Sequence, residues 1–353
     1  MKIINSHPIE RNRLVSRAIG CLVLLCFSYV SVMAEWKPPF FWTLSAPLLS
    51  PAVRPEDPCF SVKDPSVVHH EGKWHVFCTI RSVTRTHQIE YVSFDSWEKA
   101  NSAPRRILRC RNGYFCAPQV FYFRPQQQWV LLYQVGEPTR KLQLQPAFST
   151  TKNIADPDSW SPAQLLFPKE DPQGVKAWID FWVICDEKRA YLFFTSLDGH
   201  LWRMWTALSD FPRGFDYCEL ALQADIFEAA HLYRIVGENR YLAIIEAQGK
   251  AGHRYYKAYT AACLDGDWKP LADTEEQPFA GAANVQSPEP AWADNISHGE
   301  LLRAGTDETC AVNPPPFQFL IQGVTEREKS GKKYGEIPWR LGLLQQVTRP
   351  TKL

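Results

Sequence analysis

Five short runs rich in aromatic and aliphatic residues recur along the chain, and each has the length of a β-strand. Successive runs begin 51 to 77 residues apart, and each is followed by a second strand-like segment that commonly ends in Trp or Phe near a turn. The runs cover residues 73–77, 128–133, 189–194, 240–245 and 317–321. Repeats of this size, each holding several strands, are typical of propeller blades. The spacing therefore predicts an all-β, five-bladed β-propeller, and a β-sandwich with irregular strands is the alternative.

Residues 1–34 have the pattern of a secretory signal. Three arginines between positions 11 and 17 give a basic start, residues 18–32 form a largely apolar run, and small side chains end the segment. The apolar run is shorter than the roughly 20 residues that a membrane-spanning helix needs, and a membrane anchor is the alternative. We expect a secreted protein, extracellular or periplasmic, without stable membrane association after cleavage. The remaining residues 35–353 are then a single propeller domain.

The composition excludes two broad classes of protein. The 353 residues carry a formal net charge of +1, whereas a protein whose main partner is nucleic acid needs a basic surface. With 45% hydrophobic residues, including 13 Trp, 13 Tyr and 20 Phe, the chain can bury a core and is not disordered. Eight of its ten cysteines follow residue 34. Cys110 and Cys116 flank the turn signal Asn112-Gly113, so these two are predicted to form a local disulfide.

Three acidic residues stand shortly before predicted core strands, in or beside apolar segments. Asp64 precedes the first run, Asp180 the third and Glu228 the fourth. The innermost strand of each propeller blade lines the central axis, so equivalent positions in different blades converge there. Burying a charge is costly unless the charge has a partner or a function. Three converging carboxylates would raise some pKa values and leave other groups ionised, which suits glycoside hydrolysis because it needs a protonated acid and an ionised base.

Each acid also has a structural explanation when it is taken alone. Asp64 is followed by a proline and could be an ordinary turn residue that opens a strand. Asp180 could form an ion pair with Lys63 or Lys176, and Glu228 could lie at a solvated edge. The shared placement in three of five blades favours a common site.

Beyond these positions, residues 59–345 resemble glycoside hydrolase family 62, the α-L-arabinofuranosidases, which belong with family 43 among five-bladed propeller enzymes. The matching stretches keep the family's order and spacing over nearly all of the chain after residue 34. They are 63–65, 117–123, 178–186, 191–194, 227–229, 241–242 with 246–247, 278–281, 296–301, 334–335 and 340 with 342–344.

The resemblance implies a role for each of the three acids. Asp64 matches the general base, Glu228 matches the general acid, and Asp180 matches the third carboxylate, which orients the sugar and tunes the acid. His298 matches the histidine associated with a central bound cation, usually calcium, with a structural role. Without the resemblance, a lone histidine would be interpreted as a packed or hydrogen-bonded residue.

The resemblance also implies substrate-binding positions and shows two departures from the family pattern. The substrate-binding positions are Lys63, Trp178, Trp339 and Arg340. Trp339 stands where a tyrosine is more usual, and Glu308 stands where a glutamine is more usual. If these residues lie near the pocket, they put the substrate in doubt more than the reaction.

The resemblance therefore implies an inverting glycoside hydrolase that removes α-L-arabinofuranosyl branches from arabinoxylan or a related polysaccharide. With the signal-like segment, the protein is expected to be secreted, and it is expected to be a monomer. Two alternatives stay open: a family 43-like β-xylosidase or arabinanase, and a non-catalytic carbohydrate-binding propeller with exposed Trp residues. A binding module has no need for three acids at one axis. The expected partner is an oligosaccharide or polysaccharide, and neither nucleic acid nor membrane is expected.

Overall fold

The structure is a computed structural model that describes residues 37–348, and the predicted signal at residues 1–34 lies outside them. β-Strands make up most of the regular structure in this part of the chain. In chain order they are β1 (Phe41–Leu44), β2 (Cys59–His70), β3 (Lys73–Ser82), β4 (His87–Phe94), β5 (Arg105–Ile107), β6 (Phe115–Phe123), β7 (Gln128–Gly136), β8 (Leu144–Thr151), β9 (Gln164–Leu165), β10 (Ile179–Cys185), β11 (Arg189–Thr195), β12 (His200–Ala207), β13 (Tyr217–Gln223), β14 (Glu228–Ile235), β15 (Tyr241–Gln248), β16 (Arg254–Ala261), β17 (Lys269–Ala272), β18 (Val285–Gln286), β19 (Asn295–Leu301), β20 (Ala311–Val312), β21 (Gln318–Val324) and β22 (Arg340–Val347).

Among residues 37–348, helical structure is confined to short connections. It consists of the 3₁₀ turns Trp97–Ser102, Arg124–Gln126 and Tyr334–Glu336 and the α-helix Glu326–Lys329, here α1. Thr325 caps α1, because its side chain accepts a hydrogen bond from the backbone of Glu328, whose side chain binds back to Thr325. Between residues 37 and 348, no helix has the length and apolar character to span a bilayer.

The strands form five sheets, and each sheet is one blade of a propeller. Blades one to three are the antiparallel meanders β2–β5, β6–β9 and β10–β13. Blade four is β14–β17 with β20 parallel to β14, and blade five has the order β18-β1-β22-β21-β19. The five aromatic runs of the sequence fall on the second strands β3, β7, β11, β15 and β21. The prediction of an all-β, five-bladed β-propeller is therefore confirmed.

In every blade, the strand at the centre is the one that precedes and pairs with the strand carrying the aromatic run. β2, β6, β10, β14 and β19 contact one another in turn, and β19 returns to β2, so they form a closed ring. These strands are buried along nearly their whole length, because other strands surround them. Polar side chains at the same height on different central strands can therefore meet at the axis.

The strand nearest the start of the described chain closes the propeller. β1 pairs antiparallel with β22 over four residue pairs, so both ends of the described chain share blade five. Trp42 of β1 is buried, its ring packs edge-on against Phe279, and its Nε1 donates a hydrogen bond to Phe279 O at 2.5 Å. This pairing joins the ends of the circle and covers strand edges that would otherwise be open.

The predicted Cys110–Cys116 disulfide is wrong. All eight cysteines among the described residues are free. Cys116 is already part of β6, where its sulfur accepts a hydrogen bond from Gln134 Nε2 of the neighbouring strand at 3.3 Å. Cys110 is buried in the hydrophobic cluster between blades one and two that also contains Tyr133. The turn between the two cysteines therefore directs them to different neighbours.

We predict that Gly299→Ala strongly destabilises the protein. Gly299 lies on β19, where an added Cβ would stand 2.4 Å from Leu320 O and 2.8 Å from Ile321 Cα. Both are backbone atoms of β21 that cannot move aside easily, so we expect the free energy of unfolding to fall by about 1–3 kcal/mol or more. Urea unfolding followed by circular dichroism measures this loss.

Gly305→Ala is the matched control, because no atom lies within 4 Å of the position where its Cβ would be. This variant should unfold like the wild type or be up to about 1 kcal/mol more stable. Equal unfolding free energies for the two variants would contradict the close approach of β19 and β21.

Candidate active site

Each of the five central strands carries a register shift at a similar place. Relative to the second strand of the blade, the pairing shifts after Lys63, Cys116, Ile179, Glu228 and Ser297. The residues that follow are Asp64, Ala117, Asp180, Ala229 and His298. β-Bulges redirect side chains and are over-represented next to active sites. Two predicted acids and the predicted cation-associated histidine thus hold equivalent positions, and Glu228 lies one residue earlier.

Four of the five shifts hold a residue in the left-handed backbone region. The angle φ is 48° at Asp64, 51° at Ala117, 56° at Asp180 and 51° at Ala229. A residue other than glycine in this region costs roughly 1–3 kcal/mol. Because the same strain recurs in four blades, it is a property of the blade geometry. The strained backbone redirects the carboxylates of Asp64 and Asp180 out of the regular alternation of their strands.

The redirected side chains meet around His298. Its Nδ1 lies 3.5 Å from Asp64 Oδ1 and 3.8 Å from Asp180 Oδ2. The backbone N–H of Ala229, next to Glu228, donates a hydrogen bond to Asp180 Oδ2 at 3.1 Å. Blades one, three, four and five therefore contribute to one buried cluster, which contains all three predicted acids.

The environment of Asp64 favours its ionised form. Burial alone would raise the pKa of this carboxyl, but the positive charge of Lys63, the charge of His298 and a hydrogen bond from Thr79 lower it below its ordinary value. Lys63 Nζ lies 3.5 Å from Asp64 Oδ2, and both side chains are buried. Asp64 is therefore able to act as a base.

Glu228 has the opposite environment. Burial and then the negative charges of Glu246 and Asp180 raise its pKa well above the ordinary value, although Arg254 and Lys63 act in the other direction. The pKa of Asp180 is also raised, by burial and by the charge of Asp64, against the effect of His298. A carboxyl whose pKa is raised in this way can hold a proton for transfer.

Arg254 and Glu246, which were not among the predicted site residues, explain why Glu228 does not form a simple ion pair. Arg254 Nη1 lies 3.0 Å from Glu228 Oε1, but the same nitrogen also contacts Glu246 Oε1. Glu246 stands directly opposite Glu228 on β15 and is fully buried. One arginine thus serves two carboxylates, and neither forms an ion pair with another cation of the described residues. The sequence signal was a glutamate that ends the apolar run of β15.

Lys63, a predicted substrate-binding residue, lies beside Asp64 in the cluster and connects it to the surface. Its Nζ donates a hydrogen bond to Tyr334 Oη at 3.3 Å and lies 4.6 Å from the centre of the Tyr334 ring. Tyr334 is 47% exposed, so its ring forms part of the rim above the buried acids. Tyr334 was part of the family-like pattern but not of the predicted site.

Two predicted substrate-binding residues lie in the hydrophobic core. Trp178 is 3% exposed, and its ring packs edge-on against Phe194. Trp339 is 1% exposed and packs in a small apolar cluster with Ile337. Their contacts are those of core residues, so the structure does not group these indoles with the acids.

Arg340 and Glu308 are engaged in other ion pairs. Arg340 Nη2 lies 2.6 Å from Glu328 Oε2. Glu308 is buried, and its Oε1 lies 2.9 Å from Arg124 Nε. Arg124 directly follows β6, at the opposite end of that strand from its register shift. The additional charge of Glu308 is therefore balanced locally, away from the three acids.

The side chains around His298 do not form a calcium site by themselves. Within residues 37–348, no three His, Cys, Asp or Glu side chains are grouped in a way that could hold a metal ion. Calcium takes six to eight oxygen ligands, whereas His298 offers nitrogen. Calcium at His298 stays a prediction.

Comparison with known proteins gives a family for this site and fold. The model of glycosyl hydrolase family 62 matches residues 42–345. Alpha-L-arabinofuranosidase C of Cellvibrio japonicus is 40% identical over 323 residues, which cover 89% of this chain and 48% of that protein. The chain therefore spans about half the length of this curated relative.

Solved structures agree with the sequence match. The catalytic domain of a family 62 alpha-L-arabinofuranosidase from Coprinopsis cinerea is 39% identical, with a TM-score of 0.81 over 88% of this chain and 98% of that one. A family 62 hydrolase solved in complex with xylotriose is 36% identical, with a TM-score of 0.80 over 87% and 97% of the two chains. A thermostable family 43 glycoside hydrolase, 12% identical with a TM-score of 0.53 over 84% and 91%, shares the fold alone. The chain belongs to glycosyl hydrolase family 62.

Proposed function

We propose that this chain is a secreted, inverting α-L-arabinofuranosidase that releases arabinose side groups from arabinoxylan or a related polysaccharide. One observation carries the proposal: two acids of one buried cluster have opposite pKa shifts, downward at Asp64 and well upward at Glu228. Inverting hydrolysis needs an ionised base and a protonated acid at the same pH. Membership of family 62 supports this reaction class.

In the proposed reaction, Glu228 donates its proton to the glycosidic oxygen as the bond to the anomeric carbon breaks. Asp64 accepts a proton from a water molecule, whose oxygen forms the new bond on the opposite face of the sugar. In inverting enzymes the two carboxyl groups are about 6.5–9.5 Å apart, which leaves room for this water. After the step Glu228 is ionised and Asp64 is protonated, and proton exchange with solvent restores both groups.

Asp180 and Lys63 support the two reacting groups in different ways. Asp180 binds the backbone N–H of Ala229 and so holds the strand that carries Glu228, and its negative charge is one of the causes of the raised pKa of Glu228. Lys63 helps to keep Asp64 ionised. We propose that Lys63, together with the exposed Tyr334, also contacts the sugar at the rim.

The proposed substrate rests on relatives. The names of two relatives describe them as alpha-L-arabinofuranosidases, and a third was solved with xylotriose, a fragment of a xylan backbone. This combination favours arabinose branches on xylan over the substrates of a β-xylosidase or an arabinanase. Secretion rests on the signal-like pattern of residues 1–34.

Replacing the proposed acid tests the function directly. Glu228→Gln keeps the size of the side chain but cannot donate the proton, so the rate of arabinose release from arabinoxylan should fall by roughly 10²–10⁴-fold. Chromatographic quantification of free arabinose measures the rate, and a thermal melt shows that the variant is folded. Arabinose release at the wild-type rate would refute the role of Glu228.

Glu308→Gln is the matched control for this substitution. It also neutralises a buried glutamate that is paired with an arginine, but its partner Arg124 lies away from the three acids. The rate of arabinose release should be that of the wild type.

The pH dependence of kcat/KM should reflect both carboxyls. Asp64 must be ionised, so activity is lost as the pH falls through its lowered pKa, and Glu228 must be protonated, so activity is lost as the pH rises through its raised pKa. After burial, the charge of Glu246 is the largest cause of the raised pKa of Glu228. Glu246→Gln should therefore move the alkaline limb to lower pH. Rate profiles on an arabinosylated xylo-oligosaccharide measure the shift.

The acidic limb serves as the internal control, because Glu246 is not among the causes of the lowered pKa of Asp64. It should stay in place in the Glu246→Gln variant. An alkaline limb that stays in place or moves to higher pH would show that Glu228 is not the acid under the influence of Glu246.

A further inference from the structure

The bulges of neighbouring blades are connected by one repeated hydrogen bond. In four blades, the residue of the second strand that pairs with the last residue before the bulge has a polar side chain. This side chain accepts a hydrogen bond from the next blade. The donor is the backbone N–H of the first residue in that blade's bulge. The pairs are Ala117 N to Thr79 Oγ1 at 2.9 Å, Asp180 N to Gln134 Oε1 at 3.3 Å, His298 N to Glu246 Oε2 at 2.8 Å and Asp64 N to Gln322 Oε1 at 2.7 Å. The last pair links blade five to blade one.

Blade three is the exception. The equivalent residue is Thr195, opposite Ile179, and its buried Oγ1 has no hydrogen-bond partner among the described residues. The bulge N–H of Ala229 donates to Asp180 Oδ2 instead. Thr195 therefore occupies a position in the ring without taking part in its hydrogen bonds.

In blades four and five, further hydrogen bonds extend this pattern into a continuous chain of hydrogen-bonded side chains. Gln322 Nε2 donates to Ser297 Oγ at 3.0 Å, and Ser297 Oγ donates to Glu246 Oε2 at 2.9 Å. Arg254 then bridges Glu246 and Glu228 through one nitrogen. The path begins at the Asp64 backbone and ends at the Glu228 carboxylate.

We propose that Gln322, Ser297, Glu246 and Arg254 form a positioning relay that fixes the proposed base relative to the proposed acid. The inference rests on the proposed function. Gln322, Ser297 and Glu246 are at most 1% exposed. A broken link therefore leaves a buried polar group without a partner, and water cannot reach it to take the partner's place. The relay holds the strained backbone of Asp64 on one side and the side chain of Glu228 on the other.

A relay of this kind matters for an inverting reaction, because the water must fit between two carboxyl groups at a set separation. A displacement of about 1 Å can cost roughly 100-fold in rate. Gln322 and Ser297 need not touch the sugar to exert this effect, so their loss should lower kcat more than it raises KM.

The test combines kinetics with hydrogen exchange in the full chain. Gln322→Leu and Ser297→Ala each break the relay without removing a charge. We expect kcat on arabinoxylan to fall by about 10–100-fold for Gln322→Leu and less for Ser297→Ala, with KM changed by no more than about twofold. The double variant should be no slower than the slower single variant, since both break the same path.

Amide hydrogen exchange, followed by mass spectrometry on a peptide covering residues 62–67, reports on the Asp64 bulge independently of activity. Both substitutions should speed exchange there. Thr195→Val is the matched control, because it removes a buried hydroxyl at the equivalent ring position that is outside the relay. It should leave both exchange at 62–67 and kcat unchanged.

The outcomes separate the relay from the proposed function. Wild-type exchange and kcat in Ser297→Ala, or multiplying losses of kcat in the double variant, would overturn the relay. If Gln322→Leu does not fold, Ser297→Ala alone decides. A different pair of results would refute the proposed function alone. In that case the wild-type protein releases no arabinose, but both substitutions still speed exchange at residues 62–67, which supports the positioning of Asp64 by the relay.

Discussion

The central constraint on this molecule is that five backbone bulges must fit at one height around a narrow axis. Each bulge leaves a buried N–H that regular strand pairing does not satisfy, and such a group costs about 1–3 kcal/mol when it has no partner. The neighbouring blade supplies a side-chain acceptor from its second strand in four cases, and from Asp180 on its central strand in the fifth. The same hydrogen bonds therefore hold the blades together and place the acids. β1 closes the ring of blades by pairing with β22.

The same crowding explains the opposite behaviour of two carboxyls. Asp64, Asp180, Glu228 and Glu246 are buried close together, with Lys63, Arg254 and His298 as the neighbouring cationic or titratable groups. Lys63 favours ionised Asp64. Glu246 shares Arg254 with Glu228 and also accepts hydrogen bonds from Ser297 and from the His298 backbone. Glu246 is thus held by more hydrogen bonds than Glu228, and after burial its charge is the largest cause of the raised pKa of Glu228.

Much of this arrangement could be predicted from the sequence, because it depends on features that lie close together in the chain. The apolar runs mark the second strand of each blade, and Asp64, Asp180 and Glu228 stand out as charges beside apolar segments. The relay could not be predicted in this way. Asp64 and Gln322 are 258 positions apart, and their contact depends on the order of blades and on the register within each sheet. Local reasoning also failed at Cys110 and Cys116, where pairing with the next strand outweighs proximity along the chain.

In the proposed reaction, Asp64 and Glu228 act on opposite faces of one sugar in a single displacement. The stereochemistry of the first product tests it most directly. Proton NMR spectra recorded during the first minutes of hydrolysis of arabinoxylan by the wild-type protein distinguish the two anomers of arabinose before they equilibrate. If the reaction inverts, the β-anomer accumulates first from the α-linked substrate. Initial accumulation of the α-anomer would contradict it, because retention requires a carboxylate that attacks the sugar and not one that activates water.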